Sequence, residues 1–495
     1  MTRRLNVRKT RVLTLIATLI YTAFALPVPT SPQEQSLGLQ SAACLIGKAE
    51  LPAECGTFAV YENRRAHSGR IIKLSFIALR ASRRREGTIA FLAGGPGQSA
   101  TAFAPMVADR HFGQALSTLR ASYDILFLDN RGMGHSNPFP CDFAPRTDPS
   151  AYFLQLWPDA LVAGCRATSS SSHVLAQYNT ANATDDLDDL RAALRIKDLV
   201  LYGGSDGTFF SFIYLRRHPA SVKSAVLSGV APPGFQPLPG APDGAQRALS
   251  DLIADCESDS VCHSHFPNFG HQFYAVLHRF DTGPIPMTIK SPGSGDLPVR
   301  LSKEVFVDQM RQVLDDPNNA AYIPYIIDKA YNREYGPLVE MINAVSLGLA
   351  NALNWGAFLS YSCSDWMPFV TASEMTAAAQ GSFADELRFM AQKRACLIWN
   401  VPPMPPDFNK PVTSAVPILM IDGSDDPATP PRYAQEELPY LKNAKLIIVE
   451  GAGHAEEHAC TDRLIVQFIE SQSGANLPSA SCKNSFARPP FATSG

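Results

Sequence analysis

The stretch LYGGSDGTFF, residues 201–210, decides how the rest of the chain is read. It holds a G-x-S-x-G pattern, Gly203 to Gly207, centred on Ser205. Alone the pattern is weak, because glycine turns with a serine are common. Its surroundings give it weight. Leu199-Val200-Leu201-Tyr202 reads as a buried strand, the glycines as a sharp turn, and Phe209–Arg217 as a helix. A serine at such a strand–turn–helix elbow is held on a strained turn with its hydroxyl exposed. Ser205 is therefore expected to be a nucleophile. A carboxylate, Asp206, stands directly beside it, and its purpose there has to be found.

A serine hydroxyl needs a base to take its proton and an acid to orient that base. Downstream stands VPILMIDGSDDPATPP, residues 416–431, an apolar strand followed by an acidic turn. Beyond it stands LIIVEGAGHAEEH, residues 446–458, a strand followed by a glycine loop carrying His454. Serine, acid and histidine thus follow one another in the chain order that α/β-hydrolases use. Asp425 and Asp426 compete for the acid. An oxyanion needs backbone N–H donors. One is expected from Asp206. The other is expected from Gly95 in FLAGGPGQSA, residues 91–100, where glycines let the backbone approach a substrate closely.

Further short apolar runs read as strands: 56–61, 71–79, 88–92, 123–128, 224–227, 416–421 and 445–449. The later ones are continuous rather than alternating, which suits strands buried on both faces of a parallel sheet. Helical patterns fall between them, as in 185–194. The expected fold is α/β, a mostly parallel central sheet flanked by helices. Residues 233–410 break the alternation between two proline-rich stretches, PPGFQPLPGAPDG and VPPMPPDFNKP. They are read as a large, mainly helical cap over the C-terminal edge of the sheet, where open α/β sheets bind ligands. The core is then expected in two parts, 40–232 and 411–485.

The chain has 495 residues, 18% of them charged, and a net charge of −3, which gives no footing for nucleic acid as a partner. At its start five basic residues precede an apolar run, Val12 to Leu26, in which Ala23-Phe24-Ala25 fits a cleavage site. The run is shorter than the ~20 residues a membrane span needs, so residues 1–25 are expected to be an export signal rather than a stable span. All ten cysteines follow it. Their order suggests neighbour pairs, Cys44–Cys55, Cys141–Cys165, Cys256–Cys262, Cys363–Cys396 and Cys460–Cys482, although order alone does not fix connectivity. An oxidising compartment, periplasmic or extracellular, accounts for them.

His454-Ala455-Glu456-Glu457-His458 matches a zinc-peptidase pattern, H-x-x-E-H. Gly451 and Gly453 place His454 in a loop rather than on a helix, and Glu470, the only later glutamate, lies too close to serve as a third ligand. No metal and no organic cofactor is expected.

These residues carry a resemblance. The chain resembles the prolyl iminopeptidase and tripeptidyl aminopeptidase family of serine peptidases, within the α/β-hydrolase superfamily. The likeness runs through ECGTFAVYENR, LAGGPGQSA, DILFLDNRGMGHSNPFPC, LYGGSDGT, YLRRHP, VLSGVAPP, DDPATPP and GAGH. DCESDSVCHSHFP, YSCSDW and ACLIW resemble the subgroup with a tripeptidyl-aminopeptidase-like C-terminal region. In this family the acid precedes the proline of a D-P-x-T-P turn, which selects Asp426. The resemblance implies hydrolysis of peptide bonds near a free N-terminus through an acyl-enzyme, with such a peptide as partner; a monomer is expected. It also suggests Asp365, in YSCSDW, as a receiver for the substrate ammonium, with Asp206 as a second. Three positions depart from the family: Ala93 replaces a common histidine, Asp206 a common tyrosine, and Thr208 follows the tripeptidyl form. Because of Asp206, an esterase with the same machinery and a catalytically impaired scaffold stay open as alternatives.

Overall fold

Continuous runs of branched and aromatic residues form the strands that position everything else. The computed structural model describes residues 37–494 except 146–147, 235–239, 292–294, 456–457 and 472–481. The expected export signal therefore lies outside the described residues, as do Glu456 and Glu457 and part of the second core segment. The strands are β1 (Gly38–Ile46), β2 (Leu51–Tyr61), β3 (Ile71–Leu79), β4 (Gly87–Leu92), β5 (Tyr123–Leu128), β6 (Leu199–Gly204), β7 (Val222–Ser228), β8 (Ile285–Ser291), β9 (Gly295–Leu301), β10 (Ile418–Gly423) and β11 (Ala444–Val449).

Nine of them form one sheet in the order β1-β2-β3-β5-β4-β6-β7-β10-β11. The β1–β2, β2–β3 and β3–β5 pairings are antiparallel, and every pairing from β5 to β11 is parallel. All six residues of β5 and all six of β10 are buried, as their unalternating sequences require. Burial of each such Val, Leu, Ile or Phe side chain contributes roughly 1.5–3 kcal/mol. From β4 the chain crosses to β5 on one side and later returns as β6 on the other. That reversal opens a crevice at the strand ends, where ligands of open α/β sheets bind. The structure adds β1, an exposed edge strand that the sequence pattern did not disclose.

The segment between β7 and β10 is an insertion of many helices. It is not wholly helical: β8 and β9 form an antiparallel hairpin inside it. Five disulfides join the ten cysteines in the expected neighbour pairs. After Cys482 the tail returns over the molecule. Glu450 N–H donates to the Lys483 carbonyl at 2.8 Å and Ala492 N–H to the Ala321 carbonyl at 3.1 Å. Arg488 pairs with Asp255 of the insertion and with Asp425 of the loop after β10. Among the described residues no helix is long and apolar enough to cross a membrane.

Candidate active site

Ser205 occupies the turn between β6 and the helix Asp206–Arg217, with φ 54° and ψ −123°. This left-handed conformation is strained for a side-chain-bearing residue and is the mark of a nucleophile elbow. Gly207 makes the turn possible: a Cβ there would stand 2.1 Å from the Leu92 carbonyl oxygen of β4. The elbow is pinned from its far side. Thr208 Oγ1 donates to the Ser205 carbonyl at 2.7 Å and accepts from Ala231 N–H at 2.8 Å.

The loops after β6, β10 and β11 bring three side chains into line. Ser205 Oγ lies 2.9 Å from His454 Nε2. His454 Nδ1 lies 2.8 Å from Asp426 Oδ2. Asp426 is fully buried, and its carboxylate also accepts Ala428 N–H, Thr429 N–H and the Thr429 hydroxyl, each at 2.8 Å. Its neighbour Asp425 is committed elsewhere, to Ser424 Oγ at 2.7 Å and to Arg488. Burial works to raise the Asp426 pKa, but His454 and the Thr429 bonds outweigh it and hold the carboxyl below its ordinary range. Burial likewise works against a charged His454. The charge and hydrogen bond of Asp426, joined by Asp315, overcome it and raise the imidazole to about 9.

The loop after β4 lies beside the elbow, because Leu92 pairs with Gly203 across the two strands. Gly94 N–H is taken by Gln98 Oε1 at 3.0 Å. Among the described residues the backbone bonds that hold the two turns do not draw on the N–H groups of Gly95 and Asp206. Behind this loop Asp129, fully buried, accepts from Ser99 Oγ (2.8 Å), Thr101 N–H (2.9 Å), Thr101 Oγ1 (2.8 Å) and His135 N–H (3.0 Å). It fastens the glycine loop to the turn Arg131–Ser136. Arg131 anchors that turn in turn through a buried two-pronged pair with Asp186, at 2.7 and 2.8 Å. The bracing role of Asp129 was not anticipated, although the residue lies inside the quoted DNRGMGHS motif.

Ser205 and His454 open into a cavity of about 430 Å³, within the size range of small-molecule sites. Strand-end loops line one side. The insertion supplies much of the rest, including Trp355, Phe358 and Trp366. Asp206 lines the cavity. Its carboxyl is driven well above the ordinary range, first by burial and then by the charge of Asp365. A carboxyl held toward its neutral form puts less charge against an oxyanion than an ionised one.

Asp365 is not brought to the cavity. It is fully buried at the end of the helix Trp355–Asp365, where it accepts from Thr180 N–H at 2.9 Å and Ser364 Oγ at 2.6 Å. Burial raises it to about 6 against those bonds. The expectation that it meets a substrate amine directly is corrected: Asp365 lies outside the cavity wall, and its charge bears on the carboxyl of Asp206. The sequence pattern placed Asp365 near the site but could not say which way a helical side chain points. The aromatic wall and two charged residues of the insertion, Arg311 and Asp315, carried no motif. Their only trace is the i, i+4 spacing of opposite charges on a helix.

The family described as alpha/beta hydrolase fold matches residues 88–262, and the family described as TAP-like protein matches residues 383–480. The chain has the α/β-hydrolase fold, and its C-terminal part is similar to TAP-like proteins. Similar proteins include the serine protease Hip1 of Mycobacterium tuberculosis, 23% identical over 449 residues that cover 84% of this chain and 85% of that one. Carboxylesterase B of the same organism is 25% identical over 451 residues, 84% of each chain. Tripeptidyl aminopeptidase of Streptomyces lividans is 31% identical over 197 residues, 37% of this chain and 36% of that one. These relatives are named as a serine protease, a carboxylesterase and an aminopeptidase. Within this chain the matched segments carry both the elbow and the loops of Asp426 and His454.

Proposed function

We propose that this hydrolase is an exported serine aminopeptidase that cleaves peptide bonds near a free N-terminus through an acyl-enzyme. The alignment of Ser205 Oγ, His454 Nε2 and Asp426 at a cavity with Asp206 in its wall carries the reading. Ser205 attacks the carbonyl while His454 takes its proton. Asp426 holds the ring and the imidazolium that forms. Gly95 and Asp206 N–H groups receive the oxyanion. His454 then gives the proton to the leaving amine, and water admitted after departure releases the acyl group by the same steps. A substrate ammonium entering beside Asp206 draws its carboxyl into the charged form, so binding creates its own counter-ion. Five disulfides support passage through an oxidising compartment.

An esterase is the second reading. It is favoured by the apolar aromatic wall and by the likeness to a carboxylesterase. A fluorophosphonate probe with peptide mapping tests the nucleophile, with Ser205→Ala as control. The reading expects the label on Ser205 and faster cleavage of free-amine peptides than of their acetylated forms. Equal rates on both, with fast turnover of simple esters, select the esterase. A folded protein that takes no label defeats both.

A further inference from the structure

His454 is held from two directions, and only one belongs to the sheet. Its backbone N–H donates to the Asp315 carbonyl at 2.7 Å. Asp315 is the C-cap of the helix Lys303–Leu314 in the insertion. The fit is close: a Cβ on Gly453 would stand 2.3 Å from the Asp315 carbonyl oxygen and 2.7 Å from Pro317 Cδ. Gly453 is thus required where the loop seats against the helix end. The negative end of that twelve-residue helix meets the histidine loop, and a helix C-terminus favours a cation. The Asp315 side chain lines the same cavity as His454 and faces Arg311, one turn back, at 3.3 and 3.4 Å. Arg311 is buried, and its Nε has no partner. Its guanidinium is therefore spent on a long, two-pronged contact with Asp315.

We propose that the Arg311–Asp315 pair is a second support for His454, in which Asp315 positions the histidine loop and stabilises the imidazolium while Arg311 limits that stabilisation. The assignment rests on His454 being the base of the hydrolase reading. It gives the insertion a part in the proton transfer besides its part in the cavity wall. The charges point the same way: Asp315 raises the His454 pKa and Arg311 lowers it, while burial raises the Asp315 carboxyl itself against the pull of Arg311, His454 and Arg388. Among the described residues the other groups facing the ring are Ser205 from the elbow, Asp426 and Thr429 from the loop after β10, and Asp422 on β10, which also feels the His454 charge. Asp426 fixes the tautomer through Nδ1. Asp315 works through the backbone and the field, so it is a positioning residue.

The test uses the full chain with Asp315→Asn, which keeps the backbone carbonyl and removes the charge, and with Arg311→Met. The rate of fluorophosphonate labelling is followed against pH, and the His454 ring is titrated by NMR, which needs no turnover. Asp315→Asn should move both midpoints to lower pH, so that labelling at pH 7 becomes a larger fraction of its alkaline plateau. Arg311→Met should move them to higher pH. Midpoints that stay at the wild-type value, or that move the same way in both variants, overturn the proposal. A merely structural role would lower the plateau without moving the midpoint. Should Arg311→Met not fold, the Asp315→Asn midpoint alone decides. Absence of label at every pH would sink the hydrolase reading, while the NMR midpoints would still judge the support.

Discussion

The parallel half of the sheet and the insertion between β7 and β10 contribute to the site in opposite ways. In the sheet, each group proposed for the chemistry follows the end of a strand: Gly95 after β4, Ser205 after β6, Asp426 after β10 and His454 after β11. Short loops on buried strands leave little freedom, so reacting atoms meet at hydrogen-bond distance. In the insertion, helices supply surfaces instead: an aromatic wall, Asp365 behind Asp206, and the helix end that seats the histidine loop. Reacting groups come from the rigid part. The environment that tunes them comes from the part built on helix packing.

The widest separation between the two regions should appear on removing the nucleophile. Ser205→Ala is expected to lower hydrolysis by roughly a millionfold, with thermal unfolding unchanged, since a hydroxyl is lost and no packing. Next comes the acid. Asp426→Asn should cost on the order of ten thousandfold in kcat by presenting the wrong tautomer. Asp425→Asn, which loses only the Arg488 and Ser424 contacts, should keep the rate within about tenfold and lower the melting temperature. A reversal of that pair would move the acid by one position.

The pH profile sharpens the same comparison. The base must be neutral to act, and His454 is raised to about 9. kcat/KM should therefore climb with pH across the neutral range, about tenfold per unit, and level off above 9; a profile already flat at pH 7 contradicts it. Smaller effects belong to the wall. Asp206→Asn should reduce the preference for free over acetylated N-termini by about tenfold, ~1.4 kcal/mol, as measured by the ratio of kcat/KM on matched peptides. An unchanged ratio removes Asp206 from recognition. Loss of the Cys363–Cys396 bridge, which closes 33 residues wholly within the insertion, should cost about 2–4 kcal/mol of stability and leave labelling of the folded protein intact.

How far each region could be read in advance follows from the same division. The parallel strands announce themselves through unbroken Val, Ile and Leu runs, and the site loops through glycine and proline spacings that only such turns need. Asp426 could be separated from Asp425 because a proline follows it. β1 escaped notice because GLQSAACLI lies on an exposed edge and alternates weakly. The β8–β9 hairpin was hidden by Pro286 and Pro298, which argue against strands. The orientation of Asp365, and any part for Arg311 and Asp315, were illegible for another reason. Their meaning depends on which helix face meets which loop, and Asp315 and His454 are far apart in sequence.

The returning tail has a practical side. Arg488 grips Asp255 of the insertion through Nε and Asp425, next to Asp426, through Nη2. It is a rivet between the two regions, set in from the C-terminal end of the chain. A version trimmed soon after the helix Ala459–Ser471 loses the rivet together with the partner of Cys460. Damage at that end would register at the acid loop, far away in sequence, as weaker turnover.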